Sequence, residues 1–283
     1  MLVRLLTRLI DGQRGWAVPL GDLLHRILAA VFRPVPWLRD FLNGRWLGHP
    51  LHAAMTDVPV GALTVSLVLD LLDQRAAADV ALLVGVLAIA ASAVTGLADF
   101  SDTDGTPRLR ATVHLVVMVA AQLLFAVSLL LRLGAPADRT LPIVLSLLAY
   151  LLLTAGAWIG GDVVYLLGNM VNRHAWRSRG AKWQPLDVGE LPEGQPVKAT
   201  AGMQTLVLVR SGERIDALHE TCAHAGGPLS AGRIVDGCIE CPWHGSRFRL
   251  SDGTPVRGPA VYAQPVYEVR AAEGGGYEAR RLA

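Results

Sequence analysis

Two short motifs, Cys222-Ala-His224 and Cys241-Pro-Trp-His244, stand sixteen residues apart. Each offers one soft sulfur and one imidazole nitrogen, so together they supply two matched pairs of metal donors. Zinc sites favour Cys-x2–4-Cys and His-x3–5-His spacings, and Cys-x-His is foreign to that pattern. Two thiolates and two imidazoles instead suit a two-iron cluster in which the cysteines hold one iron and the histidines the other. Cys238 is the remaining one of the three cysteines. It stands in Cys-x-x-Cys spacing with Cys241, but reads as a buried strand residue because a second metal would compete for Cys241. Three cysteines clustered in this way make no disulfide framework.

The elements that must hold these loops are β-rich. Thr205–Arg210, Arg214–Leu218, Cys238–Cys241, Arg247–Leu250, Val261–Arg270 and Tyr277–Arg281 alternate in polarity or run as short apolar stretches. Ser211-Gly212, Asp236-Gly237, Asp252-Gly253 and Gly274-Gly275-Gly276 punctuate them. Many short strands at such spacing predict an all-β sandwich or barrel of about 100 residues.

The rest of the chain has a different character. Apolar residues make up 52% and charged residues 18% of the 283, where an average globular protein has about 25% charged. The charge deficit is concentrated between Val58 and Leu167. Four apolar stretches, Ala53–Leu72, Ala77–Ala98, Ala111–Leu131 and Leu141–Leu167, reach the roughly 20 residues that span a bilayer. Thirteen Arg and Lys fall on one side of this arrangement and three on the other. Positive residues stay inside, so both termini and the C-terminal domain are expected in the cytoplasm, at a bacterial-type cytoplasmic membrane. The first ten residues, interrupted by Arg4 and Arg8, do not form a cleavable signal. They and Leu23–Phe32 read as amphipathic helices lying in the interface or packed as solvated helices. The expected fold class is thus a four-helix transmembrane bundle joined to an all-β domain. The expected partition is an N-terminal region (1–48), a membrane domain (49–168), a basic linker (169–184) and the β domain (185–283). A net charge of +2 gives no nucleic-acid footprint.

Residues 185–283 resemble a Rieske ferredoxin domain. The resemblance rests on Ala217-Leu-His-Glu-Thr-Cys-Ala-His-Ala-Gly-Gly-Pro-Leu229, Cys241-Pro-Trp-His-Gly-Ser-Arg-Phe248, and Gly253 with Gly258-Pro259-Ala260. It implies a [2Fe–2S] cluster with Cys222 and Cys241 on one iron and His224 and His244 on the outer one, covered by a third loop at Gly258-Pro259-Ala260. Trp243, Ser246, Gly258 and Pro259 are then cluster-tuning residues. High-potential members carry an extra cysteine in each loop, joined as a disulfide; Gly227 and Trp243 occupy those positions here. Such members also place Ser and Tyr hydroxyls against the sulfurs, where this chain has Ser246 but Phe248. The resemblance is closer to dioxygenase-type ferredoxins, which implies an intermediate potential within roughly −150 to +300 mV.

Residues 49–167 resemble a bacterial four-helix membrane domain opening on His-Pro-x-His, here His49-Pro-Leu-His52, followed by Asp57-x-Pro-x-Gly61. Ionisable residues in a bilayer are costly and usually functional. His49, His52, Asp57, Asp99, His114 and Asp162 are all expected at similar depth on the cytoplasmic side. Three readings fit them: a polar network ordering the bundle, a haem b held by His52 or His49 with His114, or a quinone site exchanging protons. No His follows His244, so no mononuclear oxygenase iron is expected, and no Gly-x-Gly-x-x-Gly marks a flavin or nicotinamide site. The expected function is a membrane-anchored one-electron carrier passing electrons between a partner protein and a quinone or haem. The alternatives are a membrane-bound redox sensor or the ferredoxin subunit of a separately encoded oxygenase.

Overall fold

The computed structural model describes residues 2–134, 137–175 and 182–282, and the side chains from Arg4 onward. These group into two units: Met1–Pro36 with Pro50–Asn169, and Trp37–His49 with Met170–Ala283. Of the expected N-terminal region (1–48), Met1–Pro36 groups with the helical unit and Trp37–Gly48 with the C-terminal one. Arg177 and Arg179 of the expected basic linker lie outside the described residues.

The helices are α1 (Leu2–Asp11), α2 (Arg14–Phe32), α3 (Pro36–Leu42), α4 (Leu51–Met55), α5 (Asp57–Leu71), α6 (Arg75–Phe100), α7 (Gly105–Leu133) and α8 (Thr140–Gly161). A short π-helical turn, Asp162–Leu166, extends α8. Buried positions on α6 recur every three or four residues, from Ala78 through Leu82, Gly85, Ile89, Ser92 and Thr95 to Ala98. On α8 they run Pro142, Ser146, Ala149, Leu153, Gly156 and Ile159. Both stripes are rich in small residues, which let helices approach closely where lipid removes the usual hydrophobic driving force. Leu63, Leu82, Ile89, Phe125 and Leu153 meet in the bundle centre.

Among the described residues, five segments rather than four are long and apolar enough to cross a membrane. Four match the expected spans. The fifth is α2, which begins at Arg14, well before the expected Leu23, because Pro19 does not interrupt the helix. Its middle packs on the first turns of α7: Asp22 pairs with Arg108 at 2.8 Å, and a Cβ on Gly21 would strike the Thr112 hydroxyl at 2.5 Å. The opposite end of the bundle holds a network absent from the sequence-based expectations. The Arg132 guanidinium, with none of its side chain exposed, donates to Asp70 at 2.7 Å and Asp79 at 3.2 Å, and Arg139 also pairs with Asp79.

The second unit contains β1 (Gln184–Asp187), β2 (Pro196–Ala201), β3 (Gln204–Ser211), β4 (Arg214–His219), β5 (Arg233–Val235), β6 (Cys238–Glu240), β7 (Arg247–Arg249), β8 (Pro255–Arg257), β9 (Val266–Ala271) and β10 (Tyr277–Arg281). A closed barrel runs β1-β10-β9-β4-β3-β2, and a separate four-stranded sheet runs β5-β6-β7-β8. Strand β3 is buried on both faces. Leu206 and Leu208 enter the barrel core, while Val207 and Val209 join a second core with Cys222, Cys241, Ile239 and Phe248. That double duty explains its unbroken apolar run. The strand expected at Val261 starts only at Val266; the preceding loop contains Pro259 and Pro265, which cannot donate to a ladder.

Candidate metal centre

Two hairpin-like loops bring the four donors together. The first leaves β4 and is closed by Cys222 N–H to the Gly227 carbonyl at 2.9 Å; the second joins β6 to β7 and is closed by Cys241 N–H to the Ser246 carbonyl at 2.8 Å. Backbone N–H groups of His224 and Ala225 point at the Cys222 sulfur, and those of Trp243 and His244 at the Cys241 sulfur. The Cys222 thiol donates to Cys241, which, with those N–H groups, lowers the Cys241 thiol to about 7. The same contact and burial push Cys222 up. Burial, aided by His244, drives the His224 imidazole down to about 3 and keeps its lone pair available.

The imidazole rings of His224 and His244 lie 5.0 Å apart, centroid to centroid. A metal–imidazole bond is about 2 Å long, so two imidazoles at a tetrahedral angle on one ion have centroids roughly 5 Å apart. Among the described residues no three His, Cys, Asp or Glu side chains converge on a single metal position. The donors come instead as a sulfur pair and a nitrogen pair, which is the division a two-iron cluster needs.

The two histidines are not equivalent. His224 is buried, at 5% exposure, and Arg173 donates to its carbonyl. His244 is half-buried beside Trp243, which is 55% exposed. Gly227 lies under this edge: a Cβ there would meet the Cys241 sulfur at 2.9 Å and the Trp243 ring at 3.0 Å. Ser246 is fully buried, and its oxygen accepts the Ala260 N–H at 3.0 Å. Its own proton is thus left for another acceptor. Phe248 packs in the core. Cys238 sits buried in β6 with its thiol directed at the Asp236 carbonyl, and burial raises it.

Three supports of the loops were not foreseen in the sequence. Gln264, 1% exposed, donates to the His219 and Thr221 carbonyls and accepts the Ala223 N–H, so one amide pins three points of the first loop. Glu220 accepts both the N–H and the hydroxyl of Ser230. Asp40, on α3, accepts the Gly258 N–H at 3.0 Å while Arg39 donates to the Gly258 carbonyl. Desolvation raises the Asp40 carboxyl above its ordinary value, opposed by that N–H. The third loop, with its cis Gly258–Pro259 bond, is therefore clasped by a segment more than two hundred residues earlier in the chain. A long-range acidic clasp carries no local signal; only the isolated Gln264 among apolar neighbours was open to suspicion.

The Rieske [2Fe-2S] domain family matches residues 182–268. The ferredoxin subunit of anthranilate 1,2-dioxygenase from Burkholderia cepacia is 34% identical over 95 residues, 33% of this chain and 88% of that protein. The chain belongs to the Rieske [2Fe–2S] family. The cofactor of this Rieske unit is accordingly a Rieske-type cluster, and the paired donors fit it. Ferredoxin CarAc of Metapseudomonas resinovorans is 36% identical over 78 residues, covering 28% of this chain and 73% of its own. The solved ferredoxin of carbazole 1,9a-dioxygenase from Nocardioides aromaticivorans IC177 is 27% identical, with a TM-score of 0.31, covering 35% of this chain and 97% of its own. Ahead of the Rieske unit, residues 48–173 match a predicted membrane protein family (DUF2231).

The helical unit gathers only part of the expected polar cluster. His52 and His114 face each other, with ring centroids 6.5 Å apart. Asp99 is half-buried, and its enclosed Oδ1 has no partner among the described residues. Asp57 is exposed. Asp162 pairs with Arg110, whose guanidinium also grips Asp11 of α1. His49 falls in the other unit.

Proposed function

We propose that this chain is a membrane-anchored one-electron carrier. Cys222 and Cys241 hold the inner iron of its cluster, and His224 and His244 hold the outer one. The observation that carries the proposal is the pairing of the donors: two sulfurs met by backbone N–H groups, and two imidazoles spaced for one ion. A bound Rieske cluster supplies one reversible electron at its histidine-bearing iron. The chain's own residues do the rest. Four backbone N–H groups offset charge on the cysteine sulfurs, the buried apolar core under the loops excludes water, and Ser246 directs a hydroxyl toward the cluster. His244 and Trp243 form the exposed edge where a partner protein docks.

The anchor is the helical unit, with α5 to α8 as its four spans, consistent with the predicted membrane family it matches. In this reading α2 lies across the end of the bundle rather than through the bilayer, because its midpoint meets the first turns of α7. The basic side, carrying both termini and the Rieske unit, faces the cytoplasm. A second reading, the ferredoxin subunit of a separately encoded oxygenase, is favoured by the two ferredoxin relatives, one of them named as a dioxygenase subunit. A co-purifying catalytic subunit would establish it.

Low-temperature EPR of the detergent-purified chain tests the proposal. The expected result is a rhombic signal of low average g that develops only on dithionite reduction. Iron present without that signal would overturn it.

A further inference from the structure

We propose that the helical unit binds a haem b, with His52 and His114 as its two axial ligands. The inference rests on the membrane-anchored carrier reading and names the redox group inside the anchor. Its first support is symmetry. Two helical hairpins, α4/α5 with α6 and α7 with α8, each present one histidine to the bundle interior. His52 places Nδ1 2.9 Å from the Ser92 carbonyl of α6, and His114 places Nδ1 2.7 Å from the Gly156 carbonyl of α8. Each contact makes Nδ1 the protonated nitrogen and leaves Nε2 with a free lone pair. Metal-bound histidines are held in this way, their second nitrogen donating to a carbonyl that fixes tautomer and orientation.

The second support is the floor under each ring. One turn beyond Ser92 stands Gly96, and one turn beyond Gly156 stands Gly160. A Cβ on Gly96 would come within 2.9 Å of His52 Cε1, and one on Gly160 within 3.0 Å of His114 Cε1. Each imidazole therefore packs closely on a helix at a glycine, where a Cβ would force the ring to shift.

The third support is distance. The 6.5 Å between these rings is too long for two ligands at a tetrahedral angle, which gives roughly 5 Å, and close to the roughly 6 Å of two imidazoles on opposite sides of one metal. The His224–His244 pair at 5.0 Å provides the contrast within the same chain. No described residue hydrogen-bonds to either Nε2, and both rings are half-buried. Nor do three donor side chains converge there, so a bare ion would lack ligands. A metal that brings its own four equatorial nitrogens needs only the two axial ones that are present. Iron porphyrin is that ligand, and facing helices of a bundle are where it binds. The haem iron takes one electron in passing from ferric to ferrous, matching the one electron that a reduced cluster gives up.

The test uses the full chain, produced with 5-aminolevulinate and purified in detergent. The pyridine haemochrome assay should return close to one haem b per chain, with a six-coordinate low-spin spectrum. His52→Ala and His114→Ala should each abolish the low-spin species, and imidazole added to His114→Gly should restore it. Gly96→Ala and Gly160→Ala should convert or lose it, whereas Gly61→Ala, where an added Cβ meets open space, and His49→Ala should not. The Rieske EPR signal of each sample reports folding independently. Cluster without haem overturns this inference and leaves the carrier reading standing. Haem retained in low-spin form by both alanine variants also overturns it. Haem without cluster overturns the carrier reading alone.

Discussion

At the scale of single residues, the site divides into ligands that the sequence announces and supports that it conceals. The Cys-x-His and Cys-x-x-His spacings are local and chemically specific, so a candidate donor set could be read from them directly. Gln264, Glu220 and Asp40 were not, because each acts across many residues and none belongs to a motif. Ser246 lies between these cases, named by the resemblance and then found buried with its oxygen engaged by Ala260. Donated to a cluster sulfur, its hydroxyl proton would stabilise the more negative, reduced cluster. A hydrogen bond to a charged acceptor is worth about 1.5–3 kcal/mol, so Ser246→Ala should lower the potential by roughly 60–130 mV in a redox titration, with the cluster retained. An unchanged potential would mean that the hydroxyl points elsewhere. His244→Cys would replace the half-exposed neutral ligand of the proposed site with a thiolate. It should shift the EPR signal toward that of an all-cysteine cluster and lower the potential further than Ser246→Ala does.

At the scale of elements, period-two and apolar-run patterns revealed β3, β4, β6, β7 and β10, whereas β1, β2, β5 and β8 escaped. The latter are short or proline-bearing and gain their identity from partners distant in sequence, as in the pairing of Gln184 with Ala279. The same limitation hid the role of α3. Asp40→Ala should leave the Gly258 N–H without its acceptor, at a cost of about 1–3 kcal/mol. Visible circular dichroism of the cluster should then melt several degrees lower, and Asp40→Asn, which keeps an oxygen in place, should recover much of the loss. Among the helices, Arg132 was expected in a loop because its charge interrupts the apolar run, and Asp70 was overlooked inside a span. The pair is fully buried. Removing one member of such a pair costs roughly 3–5 kcal/mol because its partner stays charged and unmatched. Arg132→Leu should therefore unfold at a markedly lower temperature in detergent, and Arg132→Leu with Asp70→Leu should regain stability.

At the scale of the whole molecule, a unit matching a predicted membrane protein family and a Rieske unit share one chain. Reporter fusions after Leu133, between α7 and α8, should report the periplasmic side, and fusions at either terminus the cytoplasmic side; a periplasmic N-terminus would instead make α2 a fifth span. The clasp between Asp40 and Gly258 also sets a timetable. The ribosome releases Asp40 early, and the residue that it holds emerges 218 positions later. At about 5–20 residues per second that is a wait of roughly 10–40 seconds, during which α4 to α8 are synthesised. The third loop therefore meets its strap only after the whole helical unit has been made, and a fragment begun at the linker would be born without the strap that holds that loop.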